Sequence, residues 1–320
     1  MNLAILDGYT LNPGDLSWAP LSALATCRIF DRTAVEEIAE RAAGAEMVLT
    51  NKVPFSRRTL DKLSALQYIG VTATGYNIID LEAAAERGIA VTNVPTYSTA
   101  SVAQGVFSLI LELYSRTGQH SEAVHRGAWT ASRDWCFRLG PLRELCGKRL
   151  GIVGYGRIGG KVAQIARAFD MEVIACGRRP PAELPEGIAW SGLDEVFARA
   201  DIVSLHCPLL PSTRGMVDGK RISTMKPDAV LINTARGGLV VEKDLAEALN
   251  CGRLAGAAMD VLDVEPPPEQ NPLLSARNCV ITPHIAWATN EARERLLRVV
   301  VANVAAWLKG EPQNLVNAPA

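Results

Sequence analysis

The sequence KRLGIVGYGRIG, residues 148–159, constrains the fold of this chain more than any other stretch. The residues before the glycines are apolar, as in a buried strand, and residues 158–169 have the periodicity of a helix. Gly154, Gly156 and Gly159 have the spacing GxGxxG. Such a turn brings backbone N–H groups and the positive end of a helix close to a pyrophosphate. Because a strand and a helix flank it, the motif favours a dinucleotide-binding turn over a glycine-rich turn without a ligand.

Strands and helices alternate on both sides of this motif. Apolar runs predict strands in a first series at 3–6, 47–50, 68–71 and 89–92, and in a second series at 150–153, 171–176, 202–206, 230–233, 256–261 and 279–282. Alternation with helices predicts mostly parallel sheets that are covered on both faces. The second series has the six strands of a complete dinucleotide-binding sheet. The sequence therefore predicts an α/β protein with two doubly wound parallel-sheet domains, Rossmann-like and flavodoxin-like, and a cleft between them.

Two long predicted helices indicate where the chain crosses between these domains. One covers residues 98–114, before the glycine motif, and the other covers residues 290–308. We therefore expect a discontinuous substrate-binding domain of residues 1–100 and 287–320. Residues 101–286 would form the dinucleotide-binding domain, and a length of 320 residues agrees with two domains.

The composition argues against several classes of protein. The net charge is −1, so no overall charge attracts nucleic acid or an anionic membrane. The N-terminus lacks the basic and apolar regions of a secretory signal, and no apolar run approaches the ~18 residues of a membrane span. The seven cysteines are odd in number and form no CxxC pair, which argues against a disulfide framework or a zinc site. We expect a cytoplasmic enzyme that binds no nucleic acid, membrane or metal.

The end of the strand after the glycine motif indicates which nicotinamide cofactor binds. An NAD site usually has an acidic residue there, which accepts hydrogen bonds from the ribose hydroxyls. This chain instead has Gly177, followed by Arg178 and Arg179. Two guanidinium groups can pair with a ribose 2′-phosphate, so we predict a preference for NADP(H). If the arginines are only a solvated pair, NAD(H) can still bind through its pyrophosphate.

Three polar segments follow strands of the second series, at the sheet edge where ligands bind in such folds. They contain Arg236 in NTARGG, Glu265 before three prolines, and His284 in TPHIAW. An arginine can bind a carboxylate through two hydrogen bonds and polarise an adjacent carbonyl. A histidine paired with a carboxylate can donate the proton that carbonyl reduction requires. We therefore predict these three as the catalytic residues, although each also has a purely structural interpretation and His206 is a competing histidine at a strand end.

Together these motifs resemble those of the D-isomer-specific 2-hydroxyacid dehydrogenases, in which the chain is most similar to glycerate dehydrogenases and to hydroxypyruvate and glyoxylate reductases. The resemblance covers nearly the whole chain. Its motifs, in the family's order, are GYGRIG at 154–159, HCPL at 206–209, NTARGG at 233–238, the segment 260–266 and the dipeptide Pro283-His284. The chain departs from the NAD-using members at Gly177, where they have aspartate, and its GRR sequence resembles the NADPH-using reductases.

The resemblance implies a role for each site residue. Arg236 binds the substrate and polarises its carbonyl, Glu265 orients the histidine, and His284 is the acid and base. The implied cofactor contacts are Arg157 and Ile158 at the pyrophosphate, Cys207 and Thr234 along the dinucleotide, Asp260 near the nicotinamide amide, Val102 behind the nicotinamide, and in addition Ala235 and Ala286.

The resemblance also extends to the first domain and to the assembly. It implies that backbone N–H groups of Thr74 and Gly75 hold the substrate carboxylate, with a purely structural turn as the alternative. Trp135 falls in the family's dimerisation region, from which an aromatic residue of some reductases enters the partner's active site. Simple interface packing is the alternative for Trp135, and the implied assembly in both cases is a homodimer.

The implied reaction is the reduction of hydroxypyruvate or glyoxylate by NADPH, giving D-glycerate or glycolate. Two alternatives stay open at this point. One is a dehydrogenase for a bulkier 2-oxo acid that uses NADH. The other is a non-catalytic, nucleotide-sensing interaction protein, because transcriptional corepressors share this fold and the set of Arg, Glu and His.

Overall fold

The computed structural model describes residues 1–317. The chain divides into two compact units. Unit 1 consists of Met1–Ser98 together with the chain from Ala288 onward, and unit 2 consists of Thr99–Trp287. All ten strand pairs that the structure describes in the two sheets are parallel, which confirms the predicted α/β class.

Unit 1 is built on a parallel sheet with the strand order β2-β1-β3-β4-β5, which is the order of flavodoxin-like folds. Its strands are β1 (Asn2–Ile5), β2 (Thr26–Ile29), β3 (Met47–Thr50), β4 (Tyr68–Val71) and β5 (Ala90–Thr92). Its helices before residue 98 are α1 (Ala19–Ser22), α2 (Ile38–Arg41), α3 (Arg57–Leu60) and α4 (Leu81–Glu86). Strands β3 and β4 are buried throughout, as expected for a sheet that is covered on both faces.

Unit 2 is built on a seven-stranded sheet with the order β12-β11-β10-β9-β6-β7-β8, a Rossmann order with one further strand. Its strands are β6 (Arg149–Val153), β7 (Glu172–Cys176), β8 (Ile188–Trp190), β9 (Ile202–Leu205), β10 (Val230–Asn233), β11 (Gly256–Met259) and β12 (Cys279–Ile281). Its helices are α5 (Thr99–Ser115), α6 (Thr117–His125), α7 (Arg157–Ala168), α8 (Leu193–Arg199), α9 (Gly219–Ile222) and α10 (Glu242–Asn250). The order reverses between β6 and β9, and ligands bind beyond the carboxyl ends of the strands at such a point.

Strands β2 and β8 and helix α6 are among the elements that the sequence patterns did not predict, and the prediction of six strands in unit 2 was wrong, because its sheet has seven. Strands β2 and β8 are both at sheet edges, and they carry partly or fully exposed residues in place of an apolar run. Strands of this kind pair through backbone hydrogen bonds, so the hydropathy of their side chains does not reveal them. Helix α6 contains no buried residue, so it lacks the apolar stripe by which helices are recognised.

The last helix of unit 1, α11 (Asn290–Leu308), is anchored by a buried arginine. Arg293 is 6% exposed. Its Nη1 donates to Asp15 Oδ1 at 2.7 Å and to the carbonyl of Leu11 at 3.2 Å. The hydrogen bond from Arg293 holds the pKa of the Asp15 carboxyl below its ordinary value. The helix is therefore tied to the N-terminal segment by a charge-assisted bond.

No helix in residues 1–317 has both the length and the apolar character that crossing a membrane requires. Within the same residues, histidine, cysteine, aspartate and glutamate form no group of three that could hold a metal ion.

Candidate active site

The three glycines of the motif each meet a different spatial demand between β6 and α7. Gly154 has φ +102°, and a Cβ on it would lie 2.6 Å from the amide nitrogen of Cys207. A Cβ on Gly159 would lie 2.4 Å from the carbonyl oxygen of Gly154. A Cβ on Gly156, the N-cap of α7, would meet no atom within 4 Å. The turn is thus tightly packed at Gly154 and Gly159, whereas space remains at Gly156, at the N-terminus of α7. Such space beside a helix N-terminus suits a pyrophosphate.

A second feature of unit 2 that fits a dinucleotide follows strand β10. Thr234 Oγ1 is buried and has no hydrogen-bond partner within residues 1–317. A buried hydroxyl without a partner costs about 1–3 kcal/mol, so such an atom is often satisfied by a ligand. Thr234 lies at the same sheet edge as the glycine turn, because both follow parallel strands at their carboxyl ends.

The two arginines predicted to select the cofactor follow β7 in an exposed segment. Arg178 and Arg179 are both exposed, and neither makes a hydrogen bond or ion pair with any of the residues that the structure describes. Arg157, the first residue of α7, is exposed as well. The structure therefore places cationic side chains beside the glycine turn with their guanidinium groups available to an anion.

His284 and Glu265 form a close pair beyond the ends of β11 and β12. His284 Nδ1 lies 2.6 Å from Glu265 Oε2, and both side chains are partly exposed. The other oxygen, Glu265 Oε1, accepts a hydrogen bond from the backbone N–H of Leu262 at 3.1 Å. The Nε2 of His284 makes no hydrogen bond within the described part of the chain. Nδ1 is thus held by the carboxylate while Nε2 is available to a substrate.

The turn that carries His284 is organised by Asp260, which is 2% exposed. Oδ1 of Asp260 accepts from Thr282 Oγ1 at 2.6 Å and from the N–H of Ile285 at 2.9 Å, and Oδ2 accepts from the N–H of Ala286 at 3.0 Å. His284 has φ +55°, a left-handed conformation that few non-glycine residues adopt. The N–H of His284 donates to the carbonyl of Asp260 at 2.8 Å. These bonds hold a strained residue in place, as is common at functional sites.

Helix α5 supports the same turn through Ser101 and Gly105, neither of which was predicted from the sequence. Ser101 Oγ donates to the carbonyl of Ala286 at 2.7 Å. A Cβ on Gly105 would lie 3.0 Å from the Cβ of Ala286, so any larger residue at position 105 would crowd the turn. Val102 is buried between them on the helix. Small residues four positions apart, at 101 and 105, are the one signal in the sequence that a close contact occurs here.

Arg236 follows β10 at the same sheet edge and is exposed. The side chain of Asn233 fixes its backbone, since Asn233 Nδ2 donates to the carbonyl of Arg236 at 2.9 Å and Asn233 Oδ1 accepts from the N–H of Ala235 at 3.0 Å. Nη1 of Arg236 donates to the carbonyl of Ala235 at 2.6 Å. Most of its hydrogen-bond donors therefore remain available to a carboxylate.

His206, the competing histidine, is directed back into the sheet. Its Nε2 lies 2.9 Å from Oγ of Ser204 on β9. Burial lowers the pKa of the His206 imidazole to about 4. Burial also raises the pKa of the neighbouring Cys207 thiol, whose Sγ lies 3.7 Å from Sδ of Met216. The Nε2 of His206 is thus bonded to the sheet, whereas the Nε2 of His284 makes no hydrogen bond within residues 1–317, so the geometry favours His284 as the proton donor.

The remaining predicted residues lie in other parts of the chain. In unit 1, Thr74 and Gly75 belong to the loop after β4, where Thr74 Oγ1 donates to the carbonyl of Val94 at 2.9 Å and Asn93 Nδ2 donates to the carbonyl of Thr74 at 2.7 Å. In unit 2, Trp135 is 87% exposed, and its carbonyl accepts a hydrogen bond from Trp129 Nε1 at 2.9 Å.

Comparison with known proteins identifies the family. Residues 107–286 match the model of the D-isomer specific 2-hydroxyacid dehydrogenase, NAD binding domain. The chain belongs to this family. It is therefore an NAD(P)-dependent D-2-hydroxyacid dehydrogenase, an oxidoreductase, which confirms the family and enzyme class expected from its motifs.

Three similar proteins show how far the likeness extends. A hydroxypyruvate reductase of Blautia hydrogenotrophica is 46% identical over 99% of this chain and 100% of its own. A glycerate dehydrogenase of Methylorubrum extorquens is 40% identical over 88% of this chain and 89% of its own. The structure of an acyclic imino acid reductase in complex with NADPH and D-Arg superposes with a TM-score of 0.86, at 30% identity, over 99% of this chain and 100% of its own.

Proposed function

We propose that this dehydrogenase uses NADPH to reduce a small 2-oxo acid, hydroxypyruvate or glyoxylate, to D-glycerate or glycolate. The observation that carries the proposal is the 2.6 Å pair of His284 and Glu265 at the sheet edge that also bears the glycine turn and Arg236. The similar hydroxypyruvate reductase and glycerate dehydrogenase support the substrate class. The exposed Arg178 and Arg179 support the cofactor.

The cofactor supplies the hydride when it is bound, and the residues of this chain supply the remaining functions. Arg236 pairs with the substrate carboxylate and polarises the adjacent carbonyl. His284 donates a proton from Nε2 to the carbonyl oxygen as the carbonyl carbon accepts the hydride. Glu265 holds the Nδ1 proton and stabilises the imidazolium. The net reaction consumes one proton and one NADPH for each 2-oxo acid that is reduced.

The other predicted residues take supporting roles in this proposal. The glycine turn and Arg157 bind the pyrophosphate, and Arg178 with Arg179 binds the 2′-phosphate. Backbone N–H groups of the loop at Thr74 and Gly75 bind the substrate carboxylate. The enzyme works as a homodimer, in which the highly exposed Trp135 is covered by the partner subunit.

Initial rates test the proposal most simply. Values of kcat/KM are measured for hydroxypyruvate, glyoxylate, pyruvate and phenylpyruvate, each with NADPH and with NADH. We expect the highest efficiency for the two small polar acids with NADPH. A preference for phenylpyruvate would refute the substrate assignment. Absence of turnover with all four acids would refute a reductase of small 2-oxo acids and favour the nucleotide-sensing alternative.

A double variant tests the cofactor assignment separately. The change Arg178→Ala with Arg179→Ala should reduce kcat/KM for NADPH at least tenfold and leave the value for NADH nearly unchanged. The control is Arg58→Ala with Arg298→Ala, which removes two exposed arginines of unit 1 and thus the same charge. An unchanged ratio of NADPH to NADH efficiency in the first pair would refute the assignment.

A further inference from the structure

Trp190 lies beside the position that distinguishes the two cofactors. It is the last residue of the edge strand β8, where it pairs in register with Ala175 of β7. The next residue is tied to the same strand, because the N–H of Ser191 donates to the carbonyl of Ala175 at 2.9 Å. The indole is thereby carried to the carboxyl end of β7, two residues before Gly177.

The indole lies close to the point at which a side chain at position 177 would begin. A Cβ built on Gly177 would lie 3.3 Å from Cη2 of Trp190 and 3.7 Å from the amide nitrogen of Tyr155. The first distance is tighter than ordinary van der Waals contact, and a carboxyl group extends beyond Cβ. The φ of Gly177 is not in the left-handed region, so the backbone itself would accept another residue. The neighbouring side chain is therefore what restricts this position.

The indole packs against the glycine turn. Its ring packs edge-on against the ring of Tyr155, at 6.5 Å between centroids and an interplanar angle of 83°. Tyr155 is the residue between the first two glycines of the motif, so Trp190 is held against the glycine turn itself. Both rings also pack on the apolar cluster beneath the turn, with Ile158 and Ile165.

We propose that Trp190 is a specificity-determining residue for the dinucleotide. Its ring crowds the Cβ position from which an acidic side chain at position 177 would extend towards the ribose hydroxyls. At the adenosine end of the site, Arg178 and Arg179 then remain to bind the 2′-phosphate of NADPH. This inference rests on the proposed use of NADPH, and it adds that the choice depends on a steric contact as well as on charge.

A double-mutant cycle tests the contact. The variants are Gly177→Asp, Trp190→Val and the two combined, each measured as kcat/KM and, without substrate, as the Kd for NADPH and for NADH by fluorescence titration. We expect Gly177→Asp alone to reduce kcat/KM for NADPH at least tenfold, because the new carboxylate repels the 2′-phosphate. It should not raise kcat/KM for NADH, because the indole keeps the carboxylate from the position in which it would bind the ribose hydroxyls. The combined variant should raise NADH efficiency at least tenfold above that of Gly177→Asp.

Two outcomes would overturn the inference. Either Gly177→Asp alone raises NADH efficiency as far as the combined variant does, or the combined variant gains nothing over Gly177→Asp. Thermal unfolding of each variant checks that it is folded, and Trp190→Leu replaces Trp190→Val if the edge strand is lost. The wild-type ratio of NADPH to NADH efficiency reports on the proposed function, whereas coupling between positions 177 and 190 reports on Trp190. The two failures are therefore distinguishable.

Discussion

Alanine at Gly156 and alanine at Gly159 should have opposite consequences, although each adds a single methyl group. At Gly156 the backbone has φ −107° and ψ −158°, which alanine accepts, and the new Cβ would meet no atom within 4 Å. We expect the free energy of unfolding to change by less than about 1 kcal/mol, the typical cost of alanine at an N-cap. The methyl group would instead occupy space proposed for the pyrophosphate, so the Kd for NADPH should rise at least tenfold, or ~1.4 kcal/mol.

At Gly159 the added methyl group meets the protein itself. Its Cβ would lie 2.4 Å from the carbonyl oxygen of Gly154 and 3.0 Å from Cγ2 of Ile152. Overpacking of this kind costs about 1–3 kcal/mol, and a rigid carbonyl places the cost near the upper end. Alanine in place of a helical glycine recovers ~1 kcal/mol. The net loss of ~2 kcal/mol should lower the Tm of unit 2 by about 4–8 °C.

Both variants are measured in the same two assays. Calorimetry without cofactor gives the Tm, and titration followed by NADPH fluorescence gives the Kd. We expect weak binding with a near-native Tm for Gly156→Ala, and a lowered Tm for Gly159→Ala. Binding of NADPH by Gly156→Ala as tightly as by the wild type, or unfolding of Gly159→Ala at the wild-type temperature, would refute these roles of the two glycines.

Three further changes test the chemistry and the anchoring of the C-terminal helix. Glu265→Gln removes the charge beside His284, so kcat for hydroxypyruvate should fall at least tenfold, or ~1.4 kcal/mol, and an unchanged kcat would exclude the pair from the mechanism. Arg236→Lys retains the charge but not the bidentate geometry, so KM for the 2-oxo acid should rise at least tenfold; an unaltered KM would contradict carboxylate binding. Asp15→Asn should lower stability towards urea at pH 7. The hydrogen bond from Arg293 lowers the pKa of Asp15, so the stabilisation by the Asp15 carboxylate is fully present above the ordinary Asp pKa of 3.8. This stabilisation disappears as the pH falls through the lower pKa of the native state. The free energies of unfolding of the wild type and of Asp15→Asn should therefore become equal in acid. A constant difference between them from pH 7 to pH 2 would contradict this assignment.

Much of the fold could be predicted from the sequence, because buried parallel strands are short apolar runs between helices. Strands β3 and β10 are of this kind, and every residue in them is buried. The edge strands β2 and β8 could not be found in this way, since exposed strands pair through their backbones without an apolar run. The role proposed for Trp190 was missed for the same reason, because it is carried by β8.

The candidate site was predictable only in part. Arg236, Glu265 and His284 could be placed at one sheet edge because each follows a predicted strand. The three bonds accepted by the Asp260 carboxylate could not be foreseen, since they depend on the exact path of the turn that carries His284. The support from α5 is likewise a tertiary contact.

The most direct test of the central claim is a single turnover of the His284→Ala variant. Enzyme in excess is mixed with NADPH and then with hydroxypyruvate, and oxidation of NADPH is followed by its absorbance. His125→Ala, which removes an exposed histidine of α6, is the matched control. We expect His284→Ala to bind NADPH within about twofold of the wild-type Kd, while hydride transfer slows by about 10²–10⁴-fold, the usual contribution of a general acid. Hydride transfer at the wild-type rate in this variant would contradict the assignment of His284 as the proton donor.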